Sequence, residues 1–378
     1  MPTLRDLETP ALLLDMNRMH RNCERMRTHL APLGVTLRPH VKTAKSGPLV
    51  RAMLGAASGP VTVSTLREAE ACFAEGMTDI LYAVGIAPNK LSHVHDLRRR
   101  GAKVIVILDE VSAAQAVGEA ARASRDPFDV LIEIDADGHR AGVAPGSDVL
   151  LTIADTLKAS GARLRGVMTH AGESYYARTP EARRAASHAE RDAVVLAATR
   201  LRAAGHNCDI ASVGSTPTAL FADDLTGVTE VRAGVYVFQD LVMAGIGVCA
   251  VDDIAISVLV SVIGHQPSKG WIITDGGWMA LSRDRGTSVQ ALDQLYGVVC
   301  DAEGKPLDDL VMLSGSQEHG IIGRRKGDTR PLPELPVGTL LRVLPNHACA
   351  TAAAFDKYVQ VEGASPMIVG TEKRVNNW

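Results

Sequence analysis

The sequence predicts a (β/α)8 barrel followed by an antiparallel β domain, on three observations. Extended apolar runs alternate with Ala-, Arg- and Glu-rich helical stretches over roughly the first 240 residues, the pattern of repeated βα units and a parallel sheet. About eight such runs can be counted, the number that closes a barrel. Beyond about residue 245 the long helical patterns stop, and short β-like runs separated by Gly, Pro and Asp take over.

In chain order, residues 11–15 (ALLLD) read as a strand. Residues 17–30 carry Met19, Cys23, Met26 and Leu30 at helical spacing. Extended runs follow at 35–40, 61–65, 80–84, 103–109, 130–135, 164–170 and 209–213, with helical stretches such as 66–75 and 181–204 between them. A further extended segment lies at 229–232. The glycine fingerprint GxGxxG is absent after the first strand, which weighs against an open dinucleotide-binding sheet, the runner-up. The later β-like runs are 254–265, 271–275, 296–301, 310–315, 339–344 and 358–362. The expected domains are therefore 1–245, a barrel, and 246–378, a β domain, with the first fifteen or so residues open to packing with the latter.

Lys and Arg number 40 against 43 Asp and Glu, a net charge of −3, so no concentrated basic surface for nucleic acid or membrane is expected. The six cysteines (23, 72, 208, 249, 300, 349) form no CxxC pair, which points to a reducing compartment. The start of the chain has Asp6, Glu8 and only a five-residue apolar stretch, too short for a signal peptide. The apolar region 255–264 falls well short of the roughly 20 residues of a membrane span. A cytoplasmic protein is expected.

In a barrel, chemistry sits at the C-terminal ends of the strands. One such end reads Arg38-Pro39-His40-Val41-Lys42-Thr43-Ala44-Lys45-Ser46. Lys42 is either a partly desolvated lysine able to form a Schiff base or an ordinary loop lysine, and His40 either a base or a structural histidine. Gly214-Ser215-Thr216-Pro217-Thr218 follows the run at 209–213, and Ala233-Gly234-Val235-Tyr236 follows the next extended segment. Small residues and hydroxyls there suit a phosphate group, or are two plain loop turns. Arg140 could reach a phenolate or carboxylate, or form a loop salt bridge. His170 ends a strand, and Tyr175 could stack on a ring or simply pack beside the loop. In Asn346-His347-Ala348-Cys349-Ala350-Thr351, His347 and Cys349 at i, i+2 on a strand would share a face. Imidazole plus thiolate suits zinc or a similar metal with open positions; a buried cysteine is the alternative. Gln317-Glu318-His319-Gly320 lines a cleft or makes a polar turn.

Taken in order, Thr9-Pro10-Ala11 through Asp15, RPHVKTAKS at 38–46, GSTPT at 214–218, AGVYVF at 233–238 and PNHACAT at 345–351 resemble the fold-type III pyridoxal-phosphate enzymes. The branch is that of the D-serine dehydratases and D-threonine aldolases, and the resemblance runs over nearly the whole chain. It implies a barrel of the alanine racemase N-terminal type. It also implies pyridoxal 5'-phosphate and a divalent metal (Zn, or Mg, Mn or Co) as cofactors, and a homodimer. By position, Lys42 matches the Schiff-base lysine and Lys45 does not. Gly214, Ser215, Thr216, Gly234, Val235 and Tyr236 match the phosphate cradle. Arg140, His170 and Tyr175 match residues near the cofactor ring, and His347 and Cys349 match the metal pair. Aldolase members resemble HxD followed by Pro-Thr at the last motif; here Cys349 is followed by Ala350-Thr351, as in the dehydratases.

The implied activity is elimination of water from a D-β-hydroxy amino acid. The expected reaction takes D-threo-3-hydroxyaspartate to oxaloacetate and ammonia, with D-serine to pyruvate as a second substrate. Lys42, His347 and Cys349 would be the catalytic residues. A second substrate carboxylate would call for an arginine, with Arg140, Arg283 and Arg285 as candidates. The alternatives are a D-threonine or 3-hydroxy-D-aspartate aldolase and, outside enzymes, a non-catalytic carrier of the same cofactor.

Overall fold

The computed structural model describes residues 2–138 and 140–378. Two compact units divide the chain, one of Glu24–Gly234 with Asn377–Trp378, the other of Met1–Cys23 with Val235–Asn376. The division at 234/235 lies eleven residues before the expected 245/246. Hydrogen bonds account for the difference: Leu241 and Val242 donate to the carbonyls of Pro345 and Asn346, and Ala255 donates to Phe238. Residues 235–245 are thus laced into the chain that follows them.

The first strand, β1 (Ala11–Asp15), is not a barrel strand. Eight others are: β2 (Thr36–Leu37), β3 (Val61–Val63), β4 (Asp79–Gly85), β5 (Lys103–Leu108), β6 (Asp129–Ile134), β7 (Arg163–Thr169), β8 (Ile210–Val213) and β9 (Glu230–Val231). All pair in parallel, in the order β2-β9-β8-β7-β6-β5-β4-β3. The ring closes where Val41 N–H donates to Thr62 O (2.8 Å) and Thr62 N–H to Pro39 O (2.9 Å), pairing His40 with Thr62. The eight-stranded barrel read from the alternation is what forms, with β9 in place of 11–15 as a member.

Leu81, Ile105, Ile107, Leu131 and Met168 pack together as one core cluster. Burial of such side chains stabilises by about 1.5–3 kcal/mol each. Side-chain caps start the connecting helices: Ser46, Thr65, Thr179 and Ser215 each accept from the backbone N–H three residues on. Inside the barrel a polar chain replaces apolar packing. Arg38 Nε donates to Glu230 (2.8 Å), Ser212 Oγ donates to Glu230 (2.7 Å), and buried Arg232 donates to Ser212 Oγ (2.6 Å) and to Thr169 O.

A cavity of about 950 Å3 is lined by Asp79, Lys103, Asp129 and Arg163, the first residues of β4 to β7. It therefore lies at the N-terminal rim, opposite the loops in which chemistry is expected. Among the described residues no helix is long and apolar enough to cross a membrane.

The other unit holds β10 (Ile256–Gln266), β11 (Trp271–Thr274), β12 (Val298–Cys300), β13 (Pro306–Gly315), β14 (Gly320–Arg324), β15 (Leu340–Leu344), β16 (Lys357–Val361) and β17 (Gly370–Lys373). Strand β10 is long enough to serve two neighbours. Its first part pairs with β15 and its last part, past a bulge at Val262/Gly264, with β11. The cycle β10-β11-β14-β13-β12-β15 thereby closes into a six-stranded antiparallel barrel. β1 adds to β10 antiparallel, then β16 adds to β1 in parallel, the one departure from the expected antiparallel pattern. Leu4, Leu13, Leu259, Val359, Val361 and Ile368 form the core beneath them.

Candidate active site

The loops after the barrel strands gather most of the residues singled out by sequence. Lys42 lies in the turn after β2 with its side chain exposed, and among the described residues it has no ion pair. Lys45, three residues on, is tied down: its Nζ sits 3.1 Å from Glu68, whose carboxylate is buried. His40 lies 3.4 Å from Ser64 Oγ. Burial holds its pKa well below the ordinary value, and the Lys42, Arg232, His170 and Arg140 charges push the same way.

His170 follows β7 and its Nδ1 donates to Gly214 O at 2.8 Å, which assigns the proton to Nδ1. Burial lowers its pKa to about 3, with Arg140, Lys42 and Arg232 adding to the effect against the Gly214 carbonyl. The ring of Tyr175 lies 6.4 Å away, tilted by 52°. Lys42, Arg140 and Arg232 therefore all converge electrostatically on the two histidines. Arg140 itself is exposed, 3.6 Å from the buried carboxylate of Glu133.

The lowered pKa of His170 has a stability consequence. Below pH 6.5 the unfolded chain binds a proton that the folded protein refuses, so stability falls as pH drops from 6.5 toward 3. Between pH 7 and 5.5, His170→Gln should lose about 1 kcal/mol less than wild type in urea unfolding. His40 acts in the same sense and keeps part of the loss in the variant. Parallel pH profiles for the two proteins would refute this.

The 214–218 turn is built differently from a simple open cradle. Glu190, buried on the helix Pro180–Ala203, accepts from Ala171 N (3.0 Å), Gly214 N (2.9 Å) and Thr218 Oγ1 (2.7 Å). Both backbone polar groups of Gly214 are thus used within the protein, its N–H on Glu190 and its carbonyl on His170. Glycine is required there: at φ +154° a Cβ would lie 1.7 Å from Arg232 O. Ser215 caps the short helix Thr216–Phe221 and lies 2.8 Å from Ser174 Oγ. Gly234 is tightly placed too, since a Cβ would meet Thr43 Oγ1 at 2.8 Å and His40 O at 3.0 Å. Gly214, Ser215, Thr216 and Gly234 thus follow β8 and β9 on the rim that carries Lys42 and His170. Val235 and Tyr236, both buried, belong to the other unit, in the turn Val235–Val237.

In that other unit His347 and Cys349 are not on a strand. His347 caps the short helix Ala348–Ala352, so the shared strand face expected from i, i+2 spacing is replaced by a turn. Asp240, fully buried, causes it: its carboxylate accepts from Ala348 N–H (3.0 Å) and Met243 N–H (2.9 Å). Asn346 Oδ1 accepts from Thr287 N (3.0 Å) and Oγ1 (2.6 Å), and Thr351 Oγ1 donates to Leu281 O (2.9 Å). The turn still brings the two side chains into hydrogen-bond contact. His347 Nδ1 also lies 2.5 Å from Asp284 Oδ2. Burial opposes a charged imidazole, but the Cys349 charge, the hydrogen bonds to Asp284 and Cys349 and the Asp240 charge outweigh it and raise the His347 pKa to about 11.

Among the described residues no three His, Cys, Asp or Glu side chains converge on one metal position. Arg285 is taken by Asp293 (2.5 Å), and Arg283 stacks over Trp278 (5.1 Å). Gln317-Glu318-His319 forms the turn between β13 and β14, closed by Ser316 N–H on His319 O. Arg232, Glu190, Asp240 and Asp284 carry the local architecture, and sequence reading missed all four as site residues. Only Arg232, just before the Ala233-Gly234 turn, stood beside a recognised motif.

The model of the alanine racemase N-terminal domain matches residues 14–241, and that of a putative serine dehydratase domain matches 255–361. The D-threo-3-hydroxyaspartate dehydratase of Delftia sp. is 53% identical over 379 residues, covering 100% of this chain and 99% of that protein. The chain belongs to the D-serine dehydratase and D-threonine aldolase family. The solved structure of the Delftia enzyme superposes with a TM-score of 0.97 at 52% identity over the full length of both chains. A cysteine-to-alanine variant of that enzyme, in a metal-free form, superposes at 0.96 with 51% identity, again over 100% of both. The D-serine dehydratase of Dictyostelium discoideum is 28% identical, covering 99% of this chain and 98% of that protein.

Proposed function

We propose that the protein is a dehydratase dependent on pyridoxal phosphate and a divalent metal, converting D-threo-3-hydroxyaspartate to oxaloacetate and ammonia, with D-serine as a second substrate. The observation that carries this reading is Cys349 as the side-chain neighbour of His347, in a chain 53% identical end to end with the Delftia dehydratase. The barrel-rim residues fit an anionic cofactor. Lys42, Arg140 and Arg232 supply positive charge, Lys42 is an exposed amine with no acidic partner among the described residues, and His170 is neutral. His347 and Cys349 offer one nitrogen and one sulfur, a donor set suited to zinc or a similar borderline ion. Having only two protein donors leaves positions open for water or substrate.

When bound, the cofactor supplies an electron sink for charge left at Cα, and the metal supplies Lewis acidity toward the β-hydroxyl. Lys42 is the covalent anchor and, as a free amine, the general base that removes the Cα proton. His170, fixed as the Nδ1–H tautomer, keeps its Nε2 as an acceptor without adding charge. Arg140 and Arg232 counter anionic groups, and Tyr175 packs beside the ring. Ser215, Thr216 and Gly234 hold the phosphate; Gly214 shapes the turn, its own N–H being committed to Glu190. His347 and Cys349 hold the metal. Elimination gives an enamine that hydrolyses to the 2-oxo acid and ammonia. The family resemblance supports a homodimer. The six cysteines, joined by no disulfide, suit a cytoplasmic location.

Product analysis tests the reading. Protein supplied with pyridoxal phosphate and a divalent metal is incubated with D-threo-3-hydroxyaspartate, D-serine or D-threonine, with L-isomers as controls. Ammonia with oxaloacetate or pyruvate is expected, and chelation should abolish it while leaving the cofactor absorbance in place. Glycine and an aldehyde would make it an aldolase, and activity surviving complete demetallation would remove the Lewis-acid role.

A further inference from the structure

We propose that Asp284 is a positioning residue that orients the His347 imidazole for the metal and thereby sets the affinity of the site. This inference rests on the metal reading above and extends it to a residue that neither motif spacing nor family resemblance picked out. Asp284 Oδ2 lies 2.5 Å from His347 Nδ1, a close charge-assisted contact between a ring nitrogen and a carboxylate. With Nδ1 engaged, Nε2 is the nitrogen left for a metal. Metal-bound histidines ordinarily use one ring nitrogen on the ion and donate the other to a carboxylate, which fixes the tautomer and makes the ligand more basic.

Two further observations separate this role from direct ligation and from simple packing. Among the described residues His347, Cys349 and Asp284 do not converge on a common metal position, so Asp284 acts through the imidazole and not as a third donor. Its side chain is 45% exposed, so little core packing depends on it. The acids around the motif divide the work. Asp240 is buried and grips the backbone at Ala348, between the two donors, whereas Asp284 grips the ring itself. Asp284 is held in turn by its loop, its N–H donating to Ser282 Oγ at 3.1 Å.

The test is zinc affinity of the cofactor-loaded protein, measured by competition with a chromophoric chelator, for wild type and Asp284→Asn. The exposed position and the near-isosteric change favour normal folding, checked by the unfolding midpoint of the metal-free proteins. Loss of an outer carboxylate should weaken zinc binding about 10–100-fold, with that midpoint unchanged. Cobalt-loaded Asp284→Asn should keep both the thiolate-to-cobalt absorption of Cys349 and the wild-type coordination number in its visible spectrum. Zinc affinities within twofold of each other would overturn the proposal while leaving the metal reading intact. A changed coordination number would overturn it in favour of direct ligation. Failure of the wild type to take up zinc or cobalt at all would instead remove the metal reading on which it rests.

Discussion

Lys42→Ala should abolish the absorption band of the bound cofactor and lower kcat/KM by at least about 10^2–10^4-fold, the range for loss of a positioned base alone. Lys45→Ala should keep the band. The two lysines are three positions apart but have very different surroundings. Lys42 is exposed on the barrel rim without an ion pair, so removing it costs little folding energy. Lys45 Nζ is 3.1 Å from the buried Glu68, which also accepts from Ser64 N at 2.7 Å. Taking Lys45 away leaves one buried carboxylate oxygen unpaired, a loss of about 1–3 kcal/mol. The expected result is a double dissociation, read by cofactor spectra and urea unfolding on the same samples. Lys42→Ala loses colour and keeps stability; Lys45→Ala keeps colour and loses stability. Colour retained in Lys42→Ala would overturn the anchor assignment.

Glu190→Ala should be the most destabilising single change near the site, by about 3–5 kcal/mol. The buried carboxylate serves three donors, Ala171 N, Gly214 N and Thr218 Oγ1. Each buried donor left without a partner costs about 1–3 kcal/mol, and the hydroxyl can turn elsewhere. Glu190→Gln should lie between wild type and alanine, because one amide oxygen still accepts while the amide NH2 faces a donor. Since the clamp joins the loop after β7 to the loop after β8, both variants should also retain pyridoxal phosphate less tightly in dialysis. A stability loss under about 1 kcal/mol for alanine would show that the three hydrogen bonds are not what holds these loops.

Much of the fold is legible because several barrel strands are continuous apolar runs flanked by a helix of contrary period, as at 103–109 and 130–135. The exceptions have physical causes. Residues 11–15 look like any barrel strand, since Leu12, Leu13 and Leu14 are buried, and local pattern carries no information about which sheet buries them. Strand β14 is framed by glycines at 320 and 323, and β17 is Gly-Thr-Glu-Lys, so neither shows an apolar run. The candidate residues on the rim were legible through motifs. Their supports were not, because Glu190 and Gly214 are 24 positions apart and His347 and Asp284 are 63 apart. An acid on a helix or in a loop reads as a solvated charge until the fold shows what it faces. The turn at 345–349 was misread as a strand for the same reason, its shape being set by the distant carboxylate of Asp240.

Strand β1 also bears on how the protein is made. Its hydrogen-bonding neighbours are β10, which begins at Ile256, and β16, which ends at Val361. At about 5–20 residues per second, a ribosome needs about 12–50 s to go from the end of β1 to the start of β10. All that time Leu12, Leu13 and Leu14 lack the strands that complete them, β10 and β16. The whole of 24–234 emerges in the interval and can fold as its own unit, while the leading strand waits. Such an apolar strand is a target for chaperones during synthesis and a site of chain-to-chain sticking when they are short. Substitutions in Ala11–Asp15 should then change the yield of soluble protein, although the strands that complete β1 lie far along the chain.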